Sequence, residues 1–155
     1  MAASSIPQNA LAFYGAKVRT LGRGTFGKVY EYKDDQDNQT AVKITFSRGS
    51  DGFDMSNILR EVVIPLFADH PNIIQYYDVI LPNLNKVEIV MPLAPGDLSV
   101  FTFNEYFKNR PDRIRSACAQ LVSAVAYLTS HNILHCDIRP KNILCYEDVN
   151  DNEED

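Results

Sequence analysis

The sequence predicts an α+β fold in two parts, a β-rich first half and a helical second half. Three observations predict it. β-prone runs occupy residues 18–21, 28–33, 40–46, 73–81 and 86–91, helical periodicity dominates from residue 98 onward, and Pro92-Leu93-Ala94-Pro95-Gly96 separates the two regimes. That pentapeptide is too short and too rich in proline to be an element, and it reads as a hinge.

Size and composition narrow the classes further. A chain of 155 residues that is 45% hydrophobic can build one core or two small lobes. The formal net charge is -5 with no Lys/Arg cluster, so the electrostatics of general nucleic-acid binding are missing and nucleic acid is not expected as a partner. Cys118, Cys136 and Cys145 are irregularly spaced and form no CxxC pair, which suits a reducing compartment. Residues 1–8 lack the basic and apolar regions of a signal peptide, and no apolar run reaches the roughly 20 residues of a membrane span. A cytoplasmic chain without a membrane partner is expected. Asn38-Gln39-Thr40 has the form of a glycosylation acceptor but is more simply a hairpin loop.

In chain order, the first two strands are joined by Gly22-Arg23-Gly24-Thr25-Phe26-Gly27, a Gly-x-Gly-x-x-Gly. Glycines let backbone N–H groups approach phosphate oxygens with no Cβ in the way. A dinucleotide fold needs a helix after the glycines, whereas Val29-Tyr30-Glu31-Tyr32 continues as a strand; a plain hairpin turn stays open as an alternative. In the strand over residues 40–46, alternation puts Ala41 and Lys43 on one face and Val42 and Ile44 on the other. Beneath the glycines, the Lys43 ammonium would reach phosphates while Ala41 and Val29 sandwich a base; a snorkelling edge lysine is the plainer option.

After a polar loop over residues 47–54, Ile58, Leu59, Val62, Val63, Leu66 and Phe67 describe an amphipathic helix beginning near Ser56. Glu61 flanks its apolar stripe and can be aimed at Lys43. Pro65 removes an N–H whose acceptor would be the Glu61 carbonyl, predicting a kink or loosened last turn. His70 suits packing of the following loop as well as chemistry. Helices are expected over residues 98–108 and 113–130, the second with Ile114, Cys118, Leu121, Val125 and Leu128 along one face. His135-Cys136-Asp137-Ile138-Arg139-Pro140-Lys141-Asn142 then places a carboxylate, a fixed cation, a rigid proline and an amide between apolar segments, enough to handle a phosphate and a metal, although Asp, Pro and Asn are also ordinary turn residues. The acidic residues 147–155 predict a solvated, disordered tail.

Four motifs in this order resemble the eukaryotic-type protein kinases, most closely the Ser/Thr kinases, over residues 14–146. Gly22-x-Gly24-x-x-Gly27-x-Val29 resembles the glycine-rich loop, Ala41-Val42-Lys43 the strand lysine, Glu61 the helix glutamate ahead of His70-Pro71-Asn72, and His135-Cys136-Asp137-x-Arg139-Pro140-x-Asn142 the catalytic loop. The resemblance implies a kinase-like fold with a complete N-lobe over residues 14–91, a hinge over 92–96, a partial C-lobe over 97–146 up to the catalytic loop, and a tail over 147–155. It implies ATP and Mg²⁺ as cofactors and a protein substrate or partner. The backbone of residues 22–27, with Gly22, Gly24 and Gly27, would cover the phosphates, Leu21 would be a further cofactor-binding residue, Lys43 held by Glu61 would contact the phosphates, and Val29, Ala41 and Leu144 would enclose adenine. Met91 is similar to the gatekeeper, the Pro92 carbonyl and the Ala94 backbone would meet the base edge, and Asp97 would reach the ribose if one hinge residue is deleted. Asp137 would accept the proton of a substrate hydroxyl, Arg139 would face the transferred phosphoryl in place of the usual lysine, and Asn142 would help hold Mg²⁺.

Two departures qualify the implied activity. Cys136 stands where the family has the arginine that holds a phosphorylated activation segment, so control of that kind is not expected. Residues 143–155 contain no Asp-Phe-Gly, the family's main metal carboxylate, and the sequence reads as truncated ahead of it. Two functions are therefore expected in competition. One is an ATP-dependent Ser/Thr protein kinase, the other a truncated, inactive kinase-like binding or decoy module working through protein–protein contacts.

Overall fold

The computed structural model describes residues 14–24, 27–46, 62–83, 86–102 and 107–146. Glu61, the start of the helix with Ile58 and Leu59, the loop over 47–54 and the acidic residues 147–155 lie outside the described residues. The chain forms two compact units: one holds the residues up to Ala68 together with Ile74–Leu93, the other Asp69–Ile73 together with the residues from Ala94 onward. The class is α+β, a kinase-like arrangement of an antiparallel sheet followed by early C-lobe helices.

The first unit is built on five antiparallel strands, β1 (Ala16–Gly24), β2 (Gly27–Lys33), β3 (Gln39–Phe46), β4 (Asp78–Asn83) and β5 (Lys86–Pro92), in the order β1-β2-β3-β5-β4. β3 and β5 are buried on both faces, which is why their sequences read as near-continuous apolar runs. One face carries Tyr32, Val42, Ile44, Ile80 and Val90, the other Ala41, Val87, Ile89 and Met91. The split of Ala41 from Val42 and Ile44 follows the strand period. The β2–β3 turn is closed by Asp34, whose carboxylate accepts from Asn38 Nδ2 at 2.9 Å and from the backbone N–H groups of Gln36 and Asn38 at 2.8 and 2.9 Å. Those bonds, the Asn38 side chain first, hold the Asp34 carboxyl below its usual range.

Residues 62–67 form helix α1, with Val62 packed on the Ala41–Met91 face. They stay helical through Pro65, and Ala68 N donates to Ile64 O at 2.9 Å. β4 begins at Asp78 rather than at residue 73, where the Ile73 N–H closes a turn onto His70 O. Its far end is irregular between Ile80 and Asn83, and Pro82, without an N–H, is tolerated because β4 is an edge.

In the second unit, β6 (Gly96–Asp97) pairs with β7 (Leu144–Cys145), so Gly96 belongs to a strand and not only to a hinge. Helix α2 covers Leu98–Thr102, residues 103–106 of the expected longer helix lie outside the described residues, and residues 107–109 lead through a turn to Arg110. Helix α3 runs Pro111–Ser130, two residues earlier than expected. Proline is suited to the first helical position, where its missing N–H has no acceptor and its φ is already helical.

α3 ends in a hydrogen-bonded reversal. His131 caps it, Asn132 takes φ 58°, and the Asn132 and Ile133 N–H groups reach Thr129 O at 3.0 Å and Leu128 O at 2.9 Å. Asn tolerates this left-handed conformation better than other side-chain-bearing residues. Asn132→Ala is expected to destabilise the chain by about 1 kcal/mol, and Asn132→Gly to be neutral or better, as read by urea midpoints.

The segment Asp69–Ile73 is fastened to α3. Tyr127 Oη accepts from Asp69 N at 3.0 Å, His70 Nε2 lies 3.0 Å from Ser123 Oγ, and Asn72 Nδ2 donates to Gln120 Oε1 at 3.0 Å. Because His70 Nδ1 accepts from Asn72 N at 3.1 Å, Nε2 carries the proton and donates to Ser123. His70 is thus a packing residue of this loop.

Candidate functional site

The candidate residues fall in both units, and each group stands on its own backbone. On the sheet, the register forms one cross-strand row of Gly22, Val29, Lys43 and Ile89 and another of Glu31, Ala41 and Met91. The two rows are two residues apart, so Val29, Ala41, Lys43 and Met91 share a face. Ala41 and Met91 are buried there, with Val29 and Leu93 packed against them. Pro92 ends β5 opposite Thr40, and Leu21 sits at the irregularity between Thr20 and Gly22, 38% exposed. Glu61, the expected partner of Lys43, lies outside the described residues.

The three glycines are not equivalent. Among the described residues, a Cβ on Gly22 or Gly24 would meet nothing within 4 Å, which leaves room above these backbones. A Cβ on Gly27 would fall 2.1 Å from Ile44 O. Gly27 is therefore required by the neighbouring strand.

In the second unit, Pro140–Asn142 is a 3₁₀ turn entered from Arg139 at φ -155°, ψ 158°, the extended conformation expected before proline. The turn brings Asn142 back onto Asp137: Nδ2 donates to Asp137 Oδ2 at 2.7 Å and to Asp137 O at 2.9 Å. Arg139 Nε lies 3.3 Å from Asp137 Oδ1. His135 Nδ1 accepts from Asp137 N at 3.2 Å, and between them Cys136 takes φ 61°, unusual for a residue with a Cβ. The carboxylate is thus held in a solvated loop by an amide and a guanidinium, while the Asp137 main chain is held by Asn142 Nδ2 and His135 Nδ1. Spending both bonds of Nδ2 on Asp137 leaves Asn142 Oδ1 as an available hard oxygen.

The loop is tied to the β6–β7 pair. Leu98 N donates to Ile143 O at 2.8 Å, and Leu144 faces Asp97. Asp97 Oδ1 accepts from Ser99 N at 2.9 Å and from Ser99 Oγ, so it caps α2. Ser99 is a further residue of this cap, and Asp-x-Ser ahead of an apolar run is a legible capping signal. Ala94 lies in the connection between β5 and β6. Burial first, then the nearby Asp97 carboxylate, push the Cys145 thiol up. Cys145 is expected to react several-fold more slowly with a thiol reagent at neutral pH than the exposed Cys118 and Cys136, as measured by mass spectrometry of timed alkylation.

Among the described residues, no group of three or more His, Cys, Asp or Glu side chains is placed to hold a metal ion, and no helix is long and apolar enough to cross a membrane.

Comparison with known sequences adds a family match. The model of the protein kinase domain matches residues 16–151. The chain is 35% identical over 125 residues to Serine/threonine-protein kinase 36 of Pongo abelii, covering 80% of this chain and 9% of that protein. It is 33% identical over 132 residues to Serine/threonine-protein kinase PITSLRE of Drosophila melanogaster, covering 80% of this chain and 14% of that protein. With the Carbon catabolite-derepressing protein kinase of Saccharomyces cerevisiae it shares 35% identity over 136 residues, 86% of this chain and 21% of the relative. The chain thus spans a small part of each relative's length.

Proposed function

The chain belongs to the protein kinase family, and from that premise we propose that it works as a kinase-like binding module, engaging a protein partner. The face of α3 carries this reading. Only Ala124 and Leu128 of its 20 residues are buried, while Ile114 is 48% and Val122 67% exposed. An amphipathic helix with so much apolar surface uncovered is suited to a protein contact. The test is affinity purification of the chain from cells beside an Ile114→Asp/Val122→Asp variant. A stoichiometric protein partner that the variant loses is expected; a chain that purifies alone overturns the proposal.

A second reading, ATP-dependent Ser/Thr protein kinase, is favoured by the clamp of Asn142 on Asp137. In that role Asp137 would orient a substrate hydroxyl and accept its proton, and Arg139 would stand beside it for the phosphoryl charge. The open space over Gly22 and Gly24 suits phosphate oxygens, Lys43 would meet them, and Val29 and Ala41 offer an apolar wall to the base. Mg²⁺ would neutralise phosphate charge, with Asn142 Oδ1 as one of its ligands. Transfer of labelled phosphate to a Ser/Thr protein, run beside Asp137→Asn, tests it. Equal signals from the two chains would exclude this activity.

A further inference from the structure

A second surface of the sheet carries an inference that does not depend on phosphoryl transfer. The chain as a whole is acidic, with 15 Lys and Arg against 20 Asp and Glu. Strands β1 and β2 reverse this: Lys17, Arg19, Arg23, Lys28 and Lys33 stand against the single acid Glu31. Three of these cations have internal partners. Arg19 Nε pairs with Glu31 at 2.6 Å, Lys33 Nζ with Asp37 at 2.9 Å, and Lys17 Nζ lies 4.4 Å from the Tyr30 ring centroid.

Arg23 and Lys28 are different. They are direct cross-strand partners, and among the described residues neither makes an ion pair or a side-chain hydrogen bond. Like charges facing each other across an antiparallel pair repel, and a bound anion removes that repulsion. Their face is also defined. Lys28 is opposite Ile44, and Lys17 is opposite Tyr32; Ile44 and Tyr32 belong to one core cluster, whereas Val29, opposite Lys43, packs against the other. Lys17, Arg23 and Lys28 therefore lie on the side of the sheet away from Lys43.

We propose that this face of the β1–β2 hairpin docks an extended acidic peptide of a protein partner, with Arg23 and Lys28 as its central contacts. β1 is the exposed edge of the sheet and gives an extended chain room alongside it. The two register irregularities in β1 disfavour continuous backbone pairing, so recognition rests on side-chain charge. Three cations match a short run of carboxylates, while a nucleic acid, with a charge about every 1.7 Å of duplex, calls for a longer basic tract.

The probe is a fluorescein-labelled eight-residue peptide alternating Glu and Gly, followed by anisotropy with the full chain at low salt. Arg23→Gln/Lys28→Gln is expected to weaken binding by about tenfold or more, and Arg23→Lys/Lys28→Arg to retain it. Lys33→Gln, five residues along β2 from Lys28 and already paired with Asp37, is expected to weaken it less than the Gln pair does. Saturating Mg-ATP is expected to leave the peptide bound. No binding by the wild-type chain, equal binding by the Gln pair, displacement by Mg-ATP, or tighter binding of an oligonucleotide of equal charge would each overturn the proposal. Matching thermal transitions for the Gln and exchanged pairs separate lost contacts from lost fold.

Discussion

Gly27→Ala is expected to destabilise the sheet by about 3 kcal/mol or more, a large part of the stability of a small domain. The added Cβ would sit 2.1 Å from Ile44 O, 3.0 Å from Ile44 C and 3.2 Å from Thr45 Cα. All three are backbone atoms of β3, and Gly27 is paired with Thr45 in the ladder. No side-chain rotation relieves such a clash; either the β2–β3 pairing opens or the strands separate. Since β3 also pairs with β5, the cost extends into both core clusters. Gly24→Ala is the control, because its Cβ meets nothing within 4 Å among the described residues. Its urea midpoint is expected to stay close to wild type, or to rise slightly as the unfolded chain loses freedom. Equal midpoints for the two variants would refute the close approach. Should Gly24→Ala fold normally yet lose ATP binding, the loss belongs to the space a ligand would use.

The contrast between these glycines shows what the sequence can and cannot express. Gly22, Gly24 and Gly27 form one motif, and its spacing does not tell which glycine serves the neighbouring strand and which leaves room above the backbone. β2, β3 and β5 were legible because their apolar runs are long and bounded by turns, and Lys43 stood out as a charge inside one of them. The register that aligns it with Val29 and Ile89 needed the neighbouring strands. α3 was legible from its 4-3 spacing, although Ile114 and Cys118, on the expected apolar face, are exposed while Ala124 joins Leu128 in burial. Periodicity identifies the side of a helix that favours cover, not how much cover it has. β6 and β7 were not legible at all: two residues each carry no period, and their pairing depends on the return of the chain after the 3₁₀ turn. The left-handed Cys136 was equally hidden, since Cys is not among the residues that advertise positive φ.

Asn142→Ala is expected to reduce any phosphoryl transfer by this loop about a hundredfold or more while costing only about 1 kcal/mol of stability. The disparity follows from the geometry. Asn142 Nδ2 makes two bonds to Asp137, to Oδ2 at 2.7 Å and to the main-chain oxygen at 2.9 Å, but the turn itself is closed by Asn142 N to Arg139 O at 2.8 Å. Alanine keeps that backbone bond, so the 3₁₀ turn survives. What is lost is the fixed direction of the Asp137 carboxylate, then restrained by Arg139 alone across a solvated ion pair that contributes little. The available Asn142 Oδ1 goes with it, so any binding of Mg²⁺ by this loop is expected to weaken as well. Asn142→Asp separates the two roles: it restores an oxygen for a cation but sets a carboxylate against Asp137 Oδ2 in place of a donor, and it is expected to loosen the loop more than alanine does. Hydrogen exchange at the Asp137 amide reads that loosening without any reference to activity. Unchanged exchange in both variants, with unchanged transfer, would remove Asn142 from its place as the residue that positions Asp137.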